Sequence, residues 1–468
     1  MALPRHARWL CYALAAIGGG WLCACIAPRV ASPWPLEWME GASLEHAWRL
    51  LHGRPIYAAP SGEFIPFIYP PLAYVPFAFA IELFGPTLIA GRVVSVLALA
   101  VSLFALARAA TRLADREAGF LAAGLYALGY GYSGGFLDVV RVDGVFMAIV
   151  IVATERLCAG RDRSALMLFA LSCFAKQHGL FFFAAACAFT LIEHGRARWS
   201  SVIAASTLLA LTFAALECWS GGWFGRYVIA VPRAHALSPT LLVSFLAIDL
   251  GVYLPVLSGL ALFALWTRRR RWLACDWLLV AGVVASAIGR AHRGGDDNVR
   301  LPAYALLVLV AAISFSQLAR SHRASLVLGA LLLAQAAMLI QPPSLFAPTC
   351  AGDRAFERLR AELQRCAGSG SSVAPDHVRL TGSAFLHSMA YFDLISPPSV
   401  LADQARAAAN AAFARASAPN AIALSAISLP LMAAMGERYE ACARVDDVRL
   451  PTGYSPGATV IYRRRDQV

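Results

Sequence analysis

The chain has 468 residues, of which 59% are hydrophobic and only 15% are charged, and its mean hydropathy is +0.61. Soluble domains are about 45–50% apolar, so most of this chain cannot form a water-facing surface. The net charge of +12 does not indicate nucleic-acid binding, because the arginines fall in short clusters between apolar runs, as in cytoplasmic loops. These features predict an all-α polytopic membrane protein.

Eleven apolar runs predict about eleven transmembrane helices. Several runs are shorter than the roughly 20 residues of a full crossing, so these helices must extend into their flanks. The first run follows Arg5 and Arg8 and lacks a small-residue cleavage site, which favours an anchor over a signal peptide. Residues 1–341 form the predicted transmembrane domain, with an outer loop at 29–87. The runs lie near residues 9–28, 88–107, 118–134, 144–158, 164–175, 180–192, 200–217, 241–266, 273–289, 300–318 and 324–341.

Arginine placement predicts the orientation of these helices. Because basic loops stay in the cytoplasm, the N-terminus is expected inside. If residues 164–192 were one long helix, the cluster at 268–271 would lie outside. Two short spans broken at 176–179 instead keep every cluster inside, and we adopt this interpretation for a bacterial inner membrane. The clusters are Arg5/Arg8, Arg108/Arg112/Arg116, Arg156/Arg161/Arg163, Arg196/Arg198, Arg268 to Arg271, and Arg320/Arg323.

Residues 342–468 then lie outside the cytoplasm and are predicted to form a small α/β domain. The pattern indicates an amphipathic helix at 353–366, a second helix near 401–416 and a β-strand at 458–462. Internal repeats are not evident.

The cysteines give limited information. Eight of the eleven lie in or beside apolar runs, where a thiol behaves as a small hydrophobic group. Cys350, Cys366 and Cys442 lie in the polar C-terminal region and allow one disulfide in an oxidising compartment. The sequence does not select the pair.

The first outer loop carries the strongest functional pattern. Residues 37–41 read EWMEG, residues 53–57 read GRPIY, and residues 69–74 read YPPLAY. Aromatic faces can stack on sugar rings, and a carboxylate can accept a hydroxyl proton. An interfacial aromatic belt with solvated acids explains this loop alone equally well.

Three more outer loops place charged groups at membrane boundaries, where ionisable groups tend to be functional. Asp138, Arg141 and Asp143 lie in residues 134–144, although a local ion pair that closes the loop is the alternative. Lys176, the only lysine beside thirty-nine arginines, lies between two short spans. It is expected either to hold a phosphate or to snorkel to the interface. Residues 290–300 (RAHRGGDDNVR) add glycines and several cations, which suit a phosphate, although an ordinary loop with solvated charges is the alternative.

These motifs, in this order on one membrane face, resemble the integral-membrane GT-C glycosyltransferases of the protein mannosyltransferase and aminoarabinose transferase superfamily (family 39). The resemblance covers residues 1–340 and implies a polyprenyl-phosphate sugar donor, an extracytoplasmic site and an acid of the first outer loop as base. Relatives often have Asp-Glu where this chain has Met39-Glu40, so Glu40 takes this role and Glu37 is the reserve. Some relatives have lysine where this chain has Tyr69.

The resemblance and the loop charges assign roles to individual residues. Glu40 is the expected base, and Asp143 positions the acceptor or a divalent cation (Mg²⁺ or Mn²⁺), for which Asp138 is a second candidate ligand. Direct displacement inverts the anomeric centre, and the transferred sugar is a hexose or a pentose. Candidates for the donor phosphate are Lys176, Arg141, Arg293 and Arg300, and those for sugar contacts are Trp38, Tyr69, Tyr74, Gln177, His178 and Asn298.

The acceptor is expected to be a hydroxyl on an envelope lipid, glycan or protein. The main alternative is a transporter or flippase of lipid-linked sugars, which also needs many spans and intramembrane charges. Such transporters place polar residues at mid-bilayer and are often built from paired halves. Here the polar motifs gather on one face, which favours the enzyme.

Overall fold

The computed structural model describes residues 3–292, 294–377, 385–396 and 399–467. The N-terminal part is almost entirely helical, which confirms the predicted fold class, and its 26-residue first helix is one of several long apolar helices. The helices are α1 Arg5–Val30, α2 Glu40–Leu51, α3 Val75–Phe84, α4 Leu88–Leu113, α5 Arg116–Leu128, α6 Val142–Cys158, α7 Asp162–Ser172, α8 Gly179–His194, α9 Trp199–Trp219, α10 Trp223–Gly225, α11 Val231–Ala234, α12 Pro239–Ser244, α13 Pro255–Thr267, α14 Ala274–Ala291, α15 Leu301–Leu318 and α16 His322–Leu339.

Local sequence signals explain where several of these helices begin. The side chains of Thr87, Asp115 and Ser321 accept hydrogen bonds from the first turns of α4, α5 and α16, and such caps satisfy backbone donors that a helix leaves free. Helices α1 and α5 approach closely at Gly18 and Gly124, where an added Cβ would lie 2.5 Å from a carbonyl oxygen. Small residues allow such backbone contact between membrane helices.

Six helical segments among the described residues are long and apolar enough to cross a membrane, or seven if one bent pair counts as a span. They identify a multi-pass membrane protein. The predicted runs at 118–134, 144–158 and 164–175 correspond to α5, α6 and α7, which are shorter than 18 residues. The exact number of eleven spans therefore stays a prediction. The segments are Arg5–Val30, Leu88–Leu113, Gly179–Trp219, Ala274–Ala291, Asp297–Leu318 and His322–Leu345.

The run at 241–266, predicted as one span, bends by 99° between Pro239–Val252 and Pro255–Thr267, so it is either a broken span or a re-entrant segment. Residues Phe245–Val252 form a π-helix at the end of the first segment. Pro255 begins the second segment and lacks the amide hydrogen that would continue the helical ladder. Asp249, within the π-helix, pairs with Arg290 at 3.1 Å and with Arg300 at 3.2 Å.

The arginine clusters gather at one end of the helical bundle, here called the arginine end. Glu155, beside Arg156, pairs with Arg112 at 2.9 Å, and Asp162 pairs with Arg198 at 3.2 Å. The second contact joins residues on either side of α7 and α8, so these helices form a hairpin and not one long helix. The polar outer loops gather at the other end, here called the site end.

The helices of residues 342–467 are α17 Cys350–Ala367, α18 Ser388–Ile395, α19 Ala402–Ala414 and α20 Leu429–Met435. The strands are β1 Ser372–Val373, β2 Ala421–Ser425, β3 Tyr439–Val448 and β4 Gly457–Arg464. They form one sheet in the order β1-β2-β4-β3, in which only β1 and β2 are parallel. The predicted helices at 353–366 and 401–416 and the predicted strand at 458–462 are confirmed.

A disulfide links two elements within the C-terminal region, and hydrogen bonds connect this region to the helical bundle. A disulfide joins Cys366 of α17 to Cys442 of β3, which answers the question of pairing that the sequence left open. The buried guanidinium of Arg29, near the end of α1, donates hydrogen bonds to the Thr452 hydroxyl at 2.8 Å and to the Phe346 carbonyl at 2.7 Å. The sheet region is therefore held against the site end.

The alternation of loops predicts the outcome of reporter fusions, because basic loops remain in the cytoplasm. Alkaline phosphatase is expected to be active after Ile65, Asp138, His178 and Leu345, and fluorescent protein is expected to fluoresce after Arg112 and Arg270. A cytoplasmic signal after Leu345 would place the C-terminal region and the site end on the wrong side of the membrane.

Candidate active site

A cavity of about 420 Å³ opens at the site end, between the outer loops and the C-terminal region. It brings together four of the loops that the sequence analysis identified. The predicted site residues that line it are Glu37, Trp38, Tyr69, Arg141, Lys176, Gln177, His178 and Asn298. Asp143 lies directly behind this wall, since its carboxylate accepts a hydrogen bond from Lys176 at 2.6 Å.

Acids and bases alternate along one wall of the cavity. Arg141 donates to Glu37 at 2.8 Å and to Asp143 at 3.3 Å. The other Asp143 oxygen accepts from Lys176 at 2.6 Å and from Asn298 at 3.0 Å. Burial strengthens such charge pairs because water no longer screens them. The chain Glu37–Arg141–Asp143–Lys176 therefore fixes four ionisable groups from three loops.

Glu37 has the properties of a general base. One carboxylate oxygen accepts from Arg141 and the other from the Met39 amide at 2.8 Å. Burial raises the pKa of Glu37, and the Arg141 charge and the Met39 amide partly offset this, which leaves a pKa of about 7. A base works best when its pKa is near the operating pH.

Glu40, the expected base, is not at the cavity. Arg92 of α4 binds both its carboxylate oxygens, at 2.9 and 2.7 Å, and the amides of Leu36 and Val140 donate to the same oxygens. Both charged side chains are fully buried. Burial raises the pKa of Glu40, but the Arg92 charge and these hydrogen bonds outweigh it, so the pKa lies below its ordinary value. This carboxylate fits a structural role.

Arg92 also explains the shape of the first outer loop. Its guanidinium donates to the backbone carbonyls of Arg29, Ser32 and Trp34 at 2.6–3.1 Å. The loop therefore wraps around a buried charge before it reaches Glu37. Because Glu40 neutralises this charge, the ion pair positions Glu37 without contacting the cavity.

Three other predicted residues lie away from the cavity. Arg300 pairs with Asp249 at 3.2 Å and with Asp297, and it lines a separate cavity of about 170 Å³.

Tyr74 is buried and stacks on His46 with ring centroids 5.0 Å apart. Asp138 pairs with Arg29 at 2.7 Å. The predicted phosphate contact of Arg293 lies outside the described residues.

The aromatic and amide candidates have distinct surroundings. Trp38 packs against the C-terminal region, with its ring 5.2 Å from Tyr454. The Tyr69 hydroxyl accepts from Arg141 at 3.3 Å, and the Gln177 amide donates to the Ile68 carbonyl at 2.5 Å. Both ring nitrogens of His178 are buried, and the ring lies close to the Ala285 backbone and to Lys176 at the cavity wall.

The two carboxylates considered for a divalent cation are engaged elsewhere. Asp138 binds Arg29 and accepts from the Tyr130 hydroxyl at 2.8 Å. Asp143 binds two cationic side chains and an amide. Within the described ranges, no group of three histidine, cysteine or acidic residues is placed to hold a metal ion.

Sequence reasoning missed several residues of this site. Arg92 lies inside an apolar helix that looked like an ordinary span. His235 and Asp393 line the cavity but belong to no motif, and Asp393 comes from the C-terminal region. A lone arginine near the start of an apolar run was the one available signal, because such a charge needs a buried partner.

The helical bundle, the outer cavity and the small C-terminal sheet define the GT-C glycosyltransferase fold, as the motifs predicted. The structure is similar to ArnT from Cupriavidus metallidurans bound to undecaprenyl phosphate, with a TM-score of 0.58, 12% identity and 97% of each chain covered. It is also similar to ArnT from Cupriavidus metallidurans in the apo state, with a TM-score of 0.55, 13% identity and the same coverage of 97%. No family model and no curated protein matches the sequence.

The structural role of Glu40 predicts a loss of stability on substitution. Glu40→Gln leaves the Arg92 guanidinium buried without a counter-charge, which typically lowers the free energy of unfolding by about 3–5 kcal/mol. Thermal unfolding in detergent measures this effect. The control is Glu362→Gln, because Glu362 pairs with Arg365 at the surface, and its effect should stay within about 0.5 kcal/mol. Equal stability of the two variants would contradict the structural role.

Proposed function

We propose that this protein is a membrane glycosyltransferase that transfers a sugar from a polyprenyl-phosphate donor to a hydroxyl group on the outer face of the membrane. The observation that carries the proposal is the cavity in which Glu37, Arg141, Asp143 and Lys176 form one buried charge network. The fold adds support, because the ArnT structure that it resembles holds undecaprenyl phosphate. The proposed location is a bacterial inner membrane.

The charges of the cavity residues indicate which residues act on the donor phosphate and which act on the acceptor hydroxyl. The donor breaks its sugar–phosphate bond more easily when cations stabilise the departing phosphate. Lys176 and Arg141 line the cavity and are the cations for this role. Lys176 uses one of its three donors for Asp143, and donors remain for a phosphate oxygen. Lys176 and Arg141 therefore bind the phosphate, and the lipid tail extends into the bilayer.

Glu37 takes the proton of the acceptor hydroxyl. Its pKa of about 7 leaves much of the carboxylate ionised at neutral pH. In the proposed step the acceptor oxygen attacks the anomeric carbon, the bond to the phosphate oxygen breaks, and Glu37 receives the hydroxyl proton. A single displacement of this kind inverts the anomeric centre. The sugar is a hexose or a pentose.

Transport of a lipid-linked sugar is the second candidate. The observation that favours it is the 99° bend between Pro239–Val252 and Pro255–Thr267, because discontinuous helices are common in transporters. The clustering of cavity charges at one end favours transfer. Reconstitution into vesicles separates the two functions, since a flippase moves labelled lipid between leaflets without an acceptor.

The pKa of Glu37 predicts the pH dependence of transfer. A base must be ionised to accept a proton, so kcat/KM, which reports the free enzyme, should rise as the pH increases through about 7 and then level off. Glu37→Gln should lower the rate by about 10²–10⁴-fold, and it should destabilise the protein less than Glu40→Gln does, because Arg141 keeps Asp143 as a counter-charge. Wild-type turnover in Glu37→Gln would assign the base elsewhere.

Lys176 is expected to act through its charge. Lys176→Ala should reduce transfer by about 10²–10³-fold, and Lys176→Arg should retain more activity because a cation remains. Steady-state transfer assays with both variants measure the difference. The surface variant Arg406→Ala is the control, since Arg406 is exposed, pairs with an exposed aspartate and does not line the cavity. Equal activity of Lys176→Ala and the wild type would mean that Lys176 only neutralises the buried Asp143 carboxylate.

The donor class tests the function itself. Detergent-purified protein is incubated with an envelope extract and either radiolabelled undecaprenyl-phosphate sugars or the corresponding UDP- and GDP-sugars. Label should reach the extract only from the lipid donors. Parallel reactions with Mg²⁺, with Mn²⁺ and with EDTA show whether transfer requires a divalent cation. Transfer from a nucleotide sugar with no lipid carrier present would overturn the proposal.

A further inference from the structure

One wall of the cavity comes from the C-terminal region, to which the sequence assigned no role. Helix α18 presents Met389, Phe392, Asp393 and Ser396 to the cavity. Their spacing of three, four and seven residues places them on one face of the helix. The opposite face, which includes Ala390 and Leu394, is buried in the C-terminal region. The α18 face is therefore a built wall of the cavity.

Asp393 is the charged group of this face. The residue is only 5% exposed. Among the described residues no side chain or amide donates to its carboxylate, although its backbone carbonyl contacts His235 at 2.8 Å. Burying an unpaired carboxylate is unfavourable. The Asp393 oxygens are not among the fully enclosed unpaired atoms of the described residues, so they face the cavity, where a hydroxyl of a ligand can donate to them.

The surroundings decide which part of a substrate Asp393 faces. A phosphate carries only acceptors and negative charge, so it is repelled by a carboxylate and attracted to Lys176 and Arg141. A hydroxyl group can donate to a carboxylate. Asp393 comes from the region fastened over the site end, whereas the donor lipid tail must reach the cavity from the bilayer. The part of the substrate that meets Asp393 is therefore the acceptor, which arrives from outside the membrane, and not the donor phosphate.

We propose that Asp393 and the α18 face form the acceptor-binding site of the cavity, with the Asp393 carboxylate accepting a hydrogen bond from a hydroxyl of the acceptor. This inference rests on the proposed glycosyl transfer. It gives the C-terminal region the role of selecting an acceptor that carries hydroxyl groups beside an apolar surface, as a glycolipid or glycan does.

The pKa of Asp393 agrees with the placement of its carboxylate in the cavity near Arg141. Burial raises the pKa of Asp393 to about 7, and the charge of Arg141 limits the rise. Glu37, Asp143 and Asp393 all lie within electrostatic reach of the Tyr69 hydroxyl. Asp393 and the proposed base Glu37 therefore belong to the same cavity.

Saturation kinetics of Asp393→Asn test the inference. The donor probe is undecaprenyl phosphate charged with radiolabelled hexoses and pentoses, and the acceptor probe is an envelope extract titrated by mass. Loss of a hydrogen bond to a charged group should raise the apparent KM for the extract about tenfold. The apparent KM for the donor and the Kd for undecaprenyl phosphate should change less than about twofold, because Lys176 and Arg141 bind the phosphate.

A stability measurement separates binding from folding. Asn has the same shape as Asp and removes a buried unpaired charge, so the Tm of Asp393→Asn in detergent should equal or exceed that of the wild type. The matched control is Asp403→Asn in α19, because the Asp403 side chain is 99% exposed. This control should leave both KM values and the Tm unchanged.

Each other outcome overturns the inference in a distinguishable way. A KM change for the donor alone would assign Asp393 to the donor sugar. An unchanged KM for the extract would leave Asp393 without a role in acceptor binding, and a lower Tm would make it structural. If the wild-type protein transferred sugar from none of the donor probes, the proposed function and this inference would both fail.

Discussion

The buried ion pair between Arg92 and Glu40 determines the geometry of the site end. Arg92 extends from α4 into the first outer loop, where its guanidinium binds both Glu40 oxygens and three backbone carbonyls. A charge inside a membrane protein requires such complete pairing. Since the loop must wrap around this cation, Glu37 is held at the cavity edge. A second buried pair, Arg29–Asp138, fastens the C-terminal region above it.

The charge network of the cavity follows from these two anchors. Asp143 begins α6 and Lys176 lies at the turn between α7 and α8, so their 2.6 Å contact depends on the hairpin geometry of the short helices. Arg141 then links Asp143 to Glu37. A preorganised set of charges can stabilise a departing phosphate without the reorganisation that water would require.

Much of the fold could be predicted from the sequence, because apolar runs and arginine clusters are local patterns. They indicated the helical bundle, the hairpin at 176–179 and the polar loops that meet at the cavity. The role of Glu40 could not be predicted. Its partner lies 52 residues further along the chain, and the carboxylates of Glu37 and Glu40 differ only in what surrounds them. A motif gives the position of an acid but not its burial.

The contribution of the C-terminal region to the site was even harder to predict from the sequence. Its helices at 353–366 and 401–416 were predicted from amphipathic spacing, yet α18, which reaches the cavity, has no charge pattern that separates it from a core helix. Asp393 becomes significant only when the region folds back over the bundle. The break at 253–254 was also hidden, because apolar residues flank it on both sides and only Pro255 marked it. Long-range packing, not local pattern, decides these features.

A structure determined with undecaprenyl phosphate is the most direct test of the central claim, which is that the Glu37–Arg141–Asp143–Lys176 cavity binds a lipid-linked donor. The account predicts phosphate density in the cavity of about 420 Å³, with phosphate oxygens about 3 Å from Lys176 Nζ and the Arg141 guanidinium. The lipid tail should leave the cavity between helices toward the bilayer. Phosphate bound at Arg300 in the separate cavity, or lipid only on the outer surface of the helices, would contradict the account.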